Sequence, residues 1–169
     1  MKRIIFLFTV LAATAFIIAA CNKEKRGTTL HVHLTDNPIA MEEVNVEIEE
    51  VWAKFRDDTT GWLNLNTNAG IYNLLALQNG VDTFLATGFI PTSVVKEVRL
   101  VLGSDNTVKV DGQVYPLTVP SGAETGLKIK VDKRLHSPVD SLTIDFDAAL
   151  SIHQDGSGDY ILQPVLRLK

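Results

Sequence analysis

Three observations predict an all-β fold: a β-sandwich of roughly nine or ten strands, of the immunoglobulin or prealbumin kind, with one short helix near residues 71–78. Apolar residues recur at every second position through most of the chain, the period of a strand with one buried face. The alternating runs are short. They are separated by Gly, Asn, Asp and Pro at a spacing that suits two sheets packed face to face.

The elements follow in chain order. Leu30, Val32 and Leu34 alternate with His31 and His33, and Val44, Val46 and Ile48 alternate with Asn45, Glu47 and Glu49. The apolar parity then slips to Val51, Ala53 and Phe55. A one-residue slip would turn the core face outward, so a β-bulge near Glu49-Glu50 is expected, with Trp52 on the outer face. Trp62 to Leu65 resumes a short strand after the turn at Asp57 to Gly61, and Trp62 is expected to fill the core. Ile71 to Gln78 has helical composition, and Asn79-Gly80 supplies a stop. Val94 to Leu102 and Thr107 to Val110 are strands, and Asp111-Gly112 is a two-residue hairpin signal leading into Val114 to Val119. Leu127, Ile129 and Val131 mark the next strand. Leu142, Ile144, Phe146, Ala148, Leu150 and Ile152 mark a long one, and Tyr160 to Leu168 ends the chain. Pro116 and Pro164 fall inside strand patterns and suggest edges or bulges.

The first residues carry a different signal. Met1-Lys2-Arg3 is followed by 17 uncharged residues, Ile4 to Ala20, ending in Ala19-Ala20, and then by Cys21, the only cysteine in the chain. A positive start, an apolar run and small residues before a cut define a secretory signal. Ile18-Ala19-Ala20-Cys21 resembles a bacterial lipobox. That resemblance implies a diacylglyceryl group on the Cys21 thiol, cleavage before it and acylation of the new amino group, by palmitate or a similar chain. A disulfide within the chain is excluded by the single cysteine. A retained transmembrane helix would be at the short limit for spanning. The expected division is a signal peptide at 1–20, a lipidated cysteine with a short tether at 21–27, and a β-sandwich domain at 28–169. The tether reaches at most roughly 20 Å, so the domain sits close to its membrane.

Without residues 1–20 the chain keeps 14 basic and 20 acidic side chains, a net charge of −6. An acidic domain suits phosphate backbones poorly, which sets nucleic acid aside. A mature chain of 149 residues can bury an adequate core as one domain without staples.

Several short motifs, read in order, resemble the domain-of-unknown-function 4382 family. They are Leu34-Thr35-Asp36-Asn37-Pro38, Val44-Asn45-Val46-Glu47-Ile48 with Trp62 beyond it, and Leu74-Leu75-Ala76-Leu77-Gln78-Asn79-Gly80. Val119-Pro120-Ser121-Gly122 with Gly126-Leu127-Lys128 follows, then Asp145-Phe146-Asp147-Ala148 with Ser151, and Leu162-Gln163-Pro164-Val165. The resemblance implies a bacterial envelope lipoprotein domain, all-β, with no activity assigned.

Four constellations invite chemistry. Ser151, His153 and Asp155 alternate as a nucleophile, base and orienter would, but i,i+2 neighbours on a strand stand nearly 7 Å apart and no Gly-x-Ser-x-Gly elbow occurs. Asp145 and Asp147 flank Phe146 and would point outward together if Phe146 is core. With Asp36 they are candidates for ligand or Ca²⁺ contacts, or for hydrogen bonds tying their strand to the loop at Thr35 to Pro38. His31 and His33 share one strand face and could hold zinc only if further ligands such as His136 or His153 came close. Trp52 and Tyr115 could offer stacking surface to a sugar. The expectation is a lipid-anchored envelope domain, on the outer membrane, with a non-catalytic role in binding a glycan or protein, in adhesion or in scaffolding. A Ca²⁺- or Zn²⁺-dependent domain is the alternative, and a hydrolase comes third. Beyond the lipid on Cys21 no cofactor is expected.

Overall fold

The computed structural model describes residues 27–37, 39, 41–57, 60–120, 126–136 and 138–169. Cys21, the leader at 1–20 and the tether as far as residue 26 lie outside the described residues, as do Pro38 and residues 121–125.

The domain is a two-sheet, all-β sandwich. The first sheet orders its strands β14-β11-β1-β6-β4. These are β14 (Leu166–Leu168), β11 (Val139–Phe146), β1 (Thr28–Thr35), β6 (Thr83–Ile90) and β4 (Asn66–Thr67). The second sheet is built around β2 (Glu43–Lys54), in the order β10-β7-β2-β8-β9-β13-β12. Its other members are β7 (Val94–Leu102), β8 (Thr107–Val110), β9 (Gln113–Thr118), β10 (Leu127–Arg134), β12 (Ile152–Gln154) and β13 (Tyr160–Leu162). One edge of β2 pairs with β7 and β8. The opposite edge pairs with β3 (Trp62–Asn64) and β5 (Gly70–Asn73).

Alternation sets the faces. Leu30, Val32 and Leu34 of β1 and Val44, Val46 and Ile48 of β2 are fully buried, while the residues between them are not. The parity slip is a β-bulge: the β2–β7 register shifts between Ile48 and Glu50, after which Val51 and Ala53 are again buried. Asp111-Gly112 closes the β8–β9 hairpin with both residues at positive φ, 50° and 75°, as a two-residue turn between twisted strands demands.

Four expectations are corrected. Residues 71–73 belong to β5, pairing with β2, so the helix shrinks to a 3₁₀ turn at Leu74–Leu77 capped by the Asn73 side chain. Thr83–Ile90, read as no element, is a strand. Its alternation is broken by a bulge against β1 that buries both Leu85 and Ala86. Gly88 in it packs against Leu65: a Cβ there would lie 2.6 Å from Leu65 Cδ2, so that buried side chain would have to shift. The long strand through 152 is interrupted: Asp147 caps a single helical turn, α1 (Ala148–Ser151), before β12. That turn leaves Leu150 47% exposed and Ser151 buried, against the expected alternation. The C-terminal run likewise divides into β13 and β14, in different sheets, with Pro164 between them rather than inside a strand.

Candidate functional site

Two places concentrate chemistry, at different positions on the first sheet. The first lies where β1 and β11 end side by side. These strands are parallel and in register, Thr35 opposite Asp145. Phe146 fills the core, so Asp145 leaves on the other side. It does not reach water as expected, because the chain after β1 folds over it. Asn37 Nδ2 donates to Asp145 Oδ2 at 2.7 Å, and Asp145 is 5% exposed. Its Oδ1 is buried with no hydrogen-bond partner.

Asp36 is buried too. Its Oδ1 accepts from Ala148 N–H at 3.0 Å and its Oδ2 from Gln78 Nε2 at 3.3 Å, while Thr35 Oγ1 donates to the carbonyls of Leu77 and Val81. Burial pushes the Asp36 carboxyl above its usual value, and the nearby Asp145 charge adds to this. Hydrogen bonds from Ala148, Gln78 and Asn37 pull the other way without cancelling it. Asp147 has a separate task. Its Oδ1 accepts from Leu150 N–H as the cap of α1, and its Oδ2 lies 3.3 Å from Arg167 Nη1. These carboxylates thus stitch one end of the sheet together: the end of β1 to α1 and to Gln78 after the 3₁₀ turn, β11 to the segment after β1, and α1 to β14.

Among the described residues, no group of three or more His, Cys, Asp or Glu side chains gathers as metal ligands would. Nor do Ser151, His153 and Asp155 converge. Ser151 Oγ donates to Asp147 O at 2.5 Å and accepts from Val165 N–H at 2.9 Å. His153 is exposed on β12, and Asp155 accepts from Ser157 and Asp159 within its own turn.

The second place is the outer face of the same sheet. His31 and His33 project there from β1, and the Phe84 ring of β6 meets both imidazoles edge-on, at 5.5 and 5.8 Å between centroids. His33 Nδ1 lies 2.8 Å from Asp82 Oδ1. Phe84 is 41% exposed. Strand register sets Thr87 beside His31 on one side and Ser141 on the other, with Thr143 beside His33. Sequence reasoning found the two imidazoles and missed Phe84, because β6 itself went unread.

The other aromatic residues lie elsewhere. Trp52 Nε1 donates to Glu50 Oε2 at 2.7 Å. Trp62 is a correction: it is half-buried on the outer face of the second sheet, beneath Arg99 and Lys54, whose cationic groups stand 4.3 and 5.7 Å from its ring. Tyr115 packs on Tyr160 at 5.1 Å, beside the β8 strand that pairs with the start of β2, whereas Trp52 lies near the other end of β2. A cleft of about 480 Å³ near the bulge is lined by Glu49, Ser104, Asn106 and Thr118 among others.

No curated protein and no solved structure matches the chain. A family model described as a domain of unknown function, DUF4382, matches residues 27–164, and the chain belongs to that family.

Proposed function

We propose that the protein is a lipid-anchored binding module of a bacterial cell envelope, held on the outer membrane by a diacylglyceryl thioether at Cys21. It acts without catalysis, through the outer face of its first sheet, on carbohydrate. The observation that carries this reading is Phe84, 41% exposed and flanked by His31 and His33 on a hydrogen-bonded sheet. The C–H face of a sugar ring packs on an aromatic face. Its hydroxyls find imidazole nitrogens, Asp82, Thr87 and Thr143 in reach of that ring. The buried carboxylates already hold their own loops in place, and the Ser151 hydroxyl already both donates and accepts.

Glycan-array binding followed by calorimetry tests the carbohydrate. Phe84→Ala should abolish binding and leave the melting temperature close to wild type, since the ring is not core. Binding that survives the substitution sinks this assignment, and capture of peptides alone points to protein adhesion or scaffolding instead. Mass spectrometry of the membrane fraction tests the anchor: Cys21→Ser should prevent both lipid attachment and cleavage before residue 21.

A second reading, a Ca²⁺-dependent domain, is favoured by the partnerless Asp145 Oδ1 beside Asp36. A fall in melting temperature with EDTA, reversed by Ca²⁺, would support it. An unchanged melt would leave that oxygen as a cost of the fold.

A further inference from the structure

The chain enters the sandwich at one identifiable corner. Gly27 precedes β1, and a Cβ built on it would lie 2.2 Å from Phe89 Cζ and 2.6 Å from Ile90 O. Glycine thus lets the Phe89 ring close against the backbone where the domain begins. Phe89 is nevertheless 48% exposed, and so is 52% of Val139. Both are register partners of Thr29, one on each side, so Val139, Thr29 and Phe89 form a row across β11, β1 and β6. Adjacent strands lie about 4.8 Å apart, which puts the two apolar side chains roughly 10 Å from each other. Among the described residues, the other large exposed apolar side chain on this outer face, Phe84, lies towards the far end.

From these placements we infer that the Phe89–Val139 corner rests on the lipid surface to which the chain is tethered, so that the domain stands on the end where β1 begins. The inference rests on the anchor reading above. Six residue-to-residue steps lead from Cys21 to Gly27, a reach of roughly 20 Å at full extension. An anchor so close holds this corner near the bilayer, and two half-exposed apolar side chains at that corner gain by leaving water. They fix orientation, and the acyl chains supply affinity. His33 sits four residues beyond Thr29 along β1, with Phe84 as its partner on β6, about 13 Å up the strand and clear of the headgroups. The Asp36–Asp145 end, with Leu150 exposed beside it, is farther still.

The test uses the full-length protein, matured in a bacterial host and reconstituted in phosphatidylethanolamine–phosphatidylglycerol vesicles. Polarity-sensitive probes are placed singly through Phe89→Cys, Val139→Cys, Phe84→Cys and Leu150→Cys, and brominated acyl chains serve as quencher. Probes at 89 and 139 should shift to the blue and be quenched, and those at 84 and 150 should be neither. The Val139 position reports independently if removing the Phe89 ring disturbs the fold. A lipidated protein whose probes at 89 and 139 stay as wet as that at 150 overturns the inference and leaves the anchor standing. Quenching at 84 as well would lay the sheet flat and overturn the upright pose. A mature chain whose Cys21 carries no lipid removes the anchor reading and this inference together.

Discussion

Phe146 has no exposed surface, and the two residues beside it in sequence are carboxylates. Phe146→Ala is expected to cost roughly 3–5 kcal/mol, read as a lowered denaturant midpoint. A loss below about 1 kcal/mol would mean that the site collapses around the gap. Two other carboxylates give opposite pH dependences. Asp36 is raised by burial, so the folded state binds its proton more tightly than the unfolded chain does. Its ionisation therefore costs stability once pH rises from the usual value near 3.8 through the raised one. The stability of the wild type relative to Asp36→Asn should grow as pH is lowered through that window. Asp140 behaves conversely. Burial would raise it, but N–H groups of His136 and Ser141, the His136 ring and Lys133 outweigh that and hold it well below the usual range. Asp140→Asn should be destabilising at neutral pH and converge on wild type as acid protonates the unfolded carboxylate near 3.8 and below. Chemical denaturation as a function of pH measures both, and a difference that does not vary with pH would refute either assignment. Identity and parity sufficed to bury Leu142, Ile144 and Phe146. They did not suffice for Asp145, whose cover comes from Asn37, 108 positions away, a distance across which local pattern says nothing.

At the level of elements, the most legible features were those that break a rhythm and then restore it. The slip from Ile48 to Val51 announced the bulge in β2, because only an extra residue returns the apolar set to the core. Where a break coincides with a change of structure, the same reading failed. Apolar residues continue with period two from Leu142 to Ile152, yet Asp147 stops the strand by capping α1. A carboxylate before Ala-Ala-Leu-Ser is a helix-start signal that the strand pattern masked. Asp147→Ala should cost roughly 1–2 kcal/mol through the lost cap, with the loss of Arg167 adding little because that side chain is half exposed. Thermal melting at neutral pH checks this, and Asp147→Asn, which keeps an acceptor for Leu150 N–H, should recover most of the loss. The strand β6 stayed hidden for a related reason: a bulge that buries two consecutive residues erases the alternation on which strand reading depends.

For the molecule as a whole, the class of fold was written in composition and period, whereas the sheet topology was not. Which strands become neighbours depends on packing energies summed over the whole core. Among the described strands the least local pairing is that of β1 with β11, Thr29 against Val139. Closing a loop of that length costs about 4 kcal/mol of chain entropy, and contacts so distant in sequence slow folding. A fragment ending at Pro138 is expected to remain unfolded by circular dichroism and to be cleaved rapidly by protease, although it holds β1 to β10. A cooperative melt from that fragment would show that β6 alone can seat β1. For a chain threaded amino-terminus first through a narrow pore, the same pairing imposes an order of events. Its first strand emerges at once and then waits, with one edge open, until more than a hundred further residues have followed. The middle of the first sheet is begun earliest and closed late, and the polypeptide stays loose enough to be pulled for most of the passage.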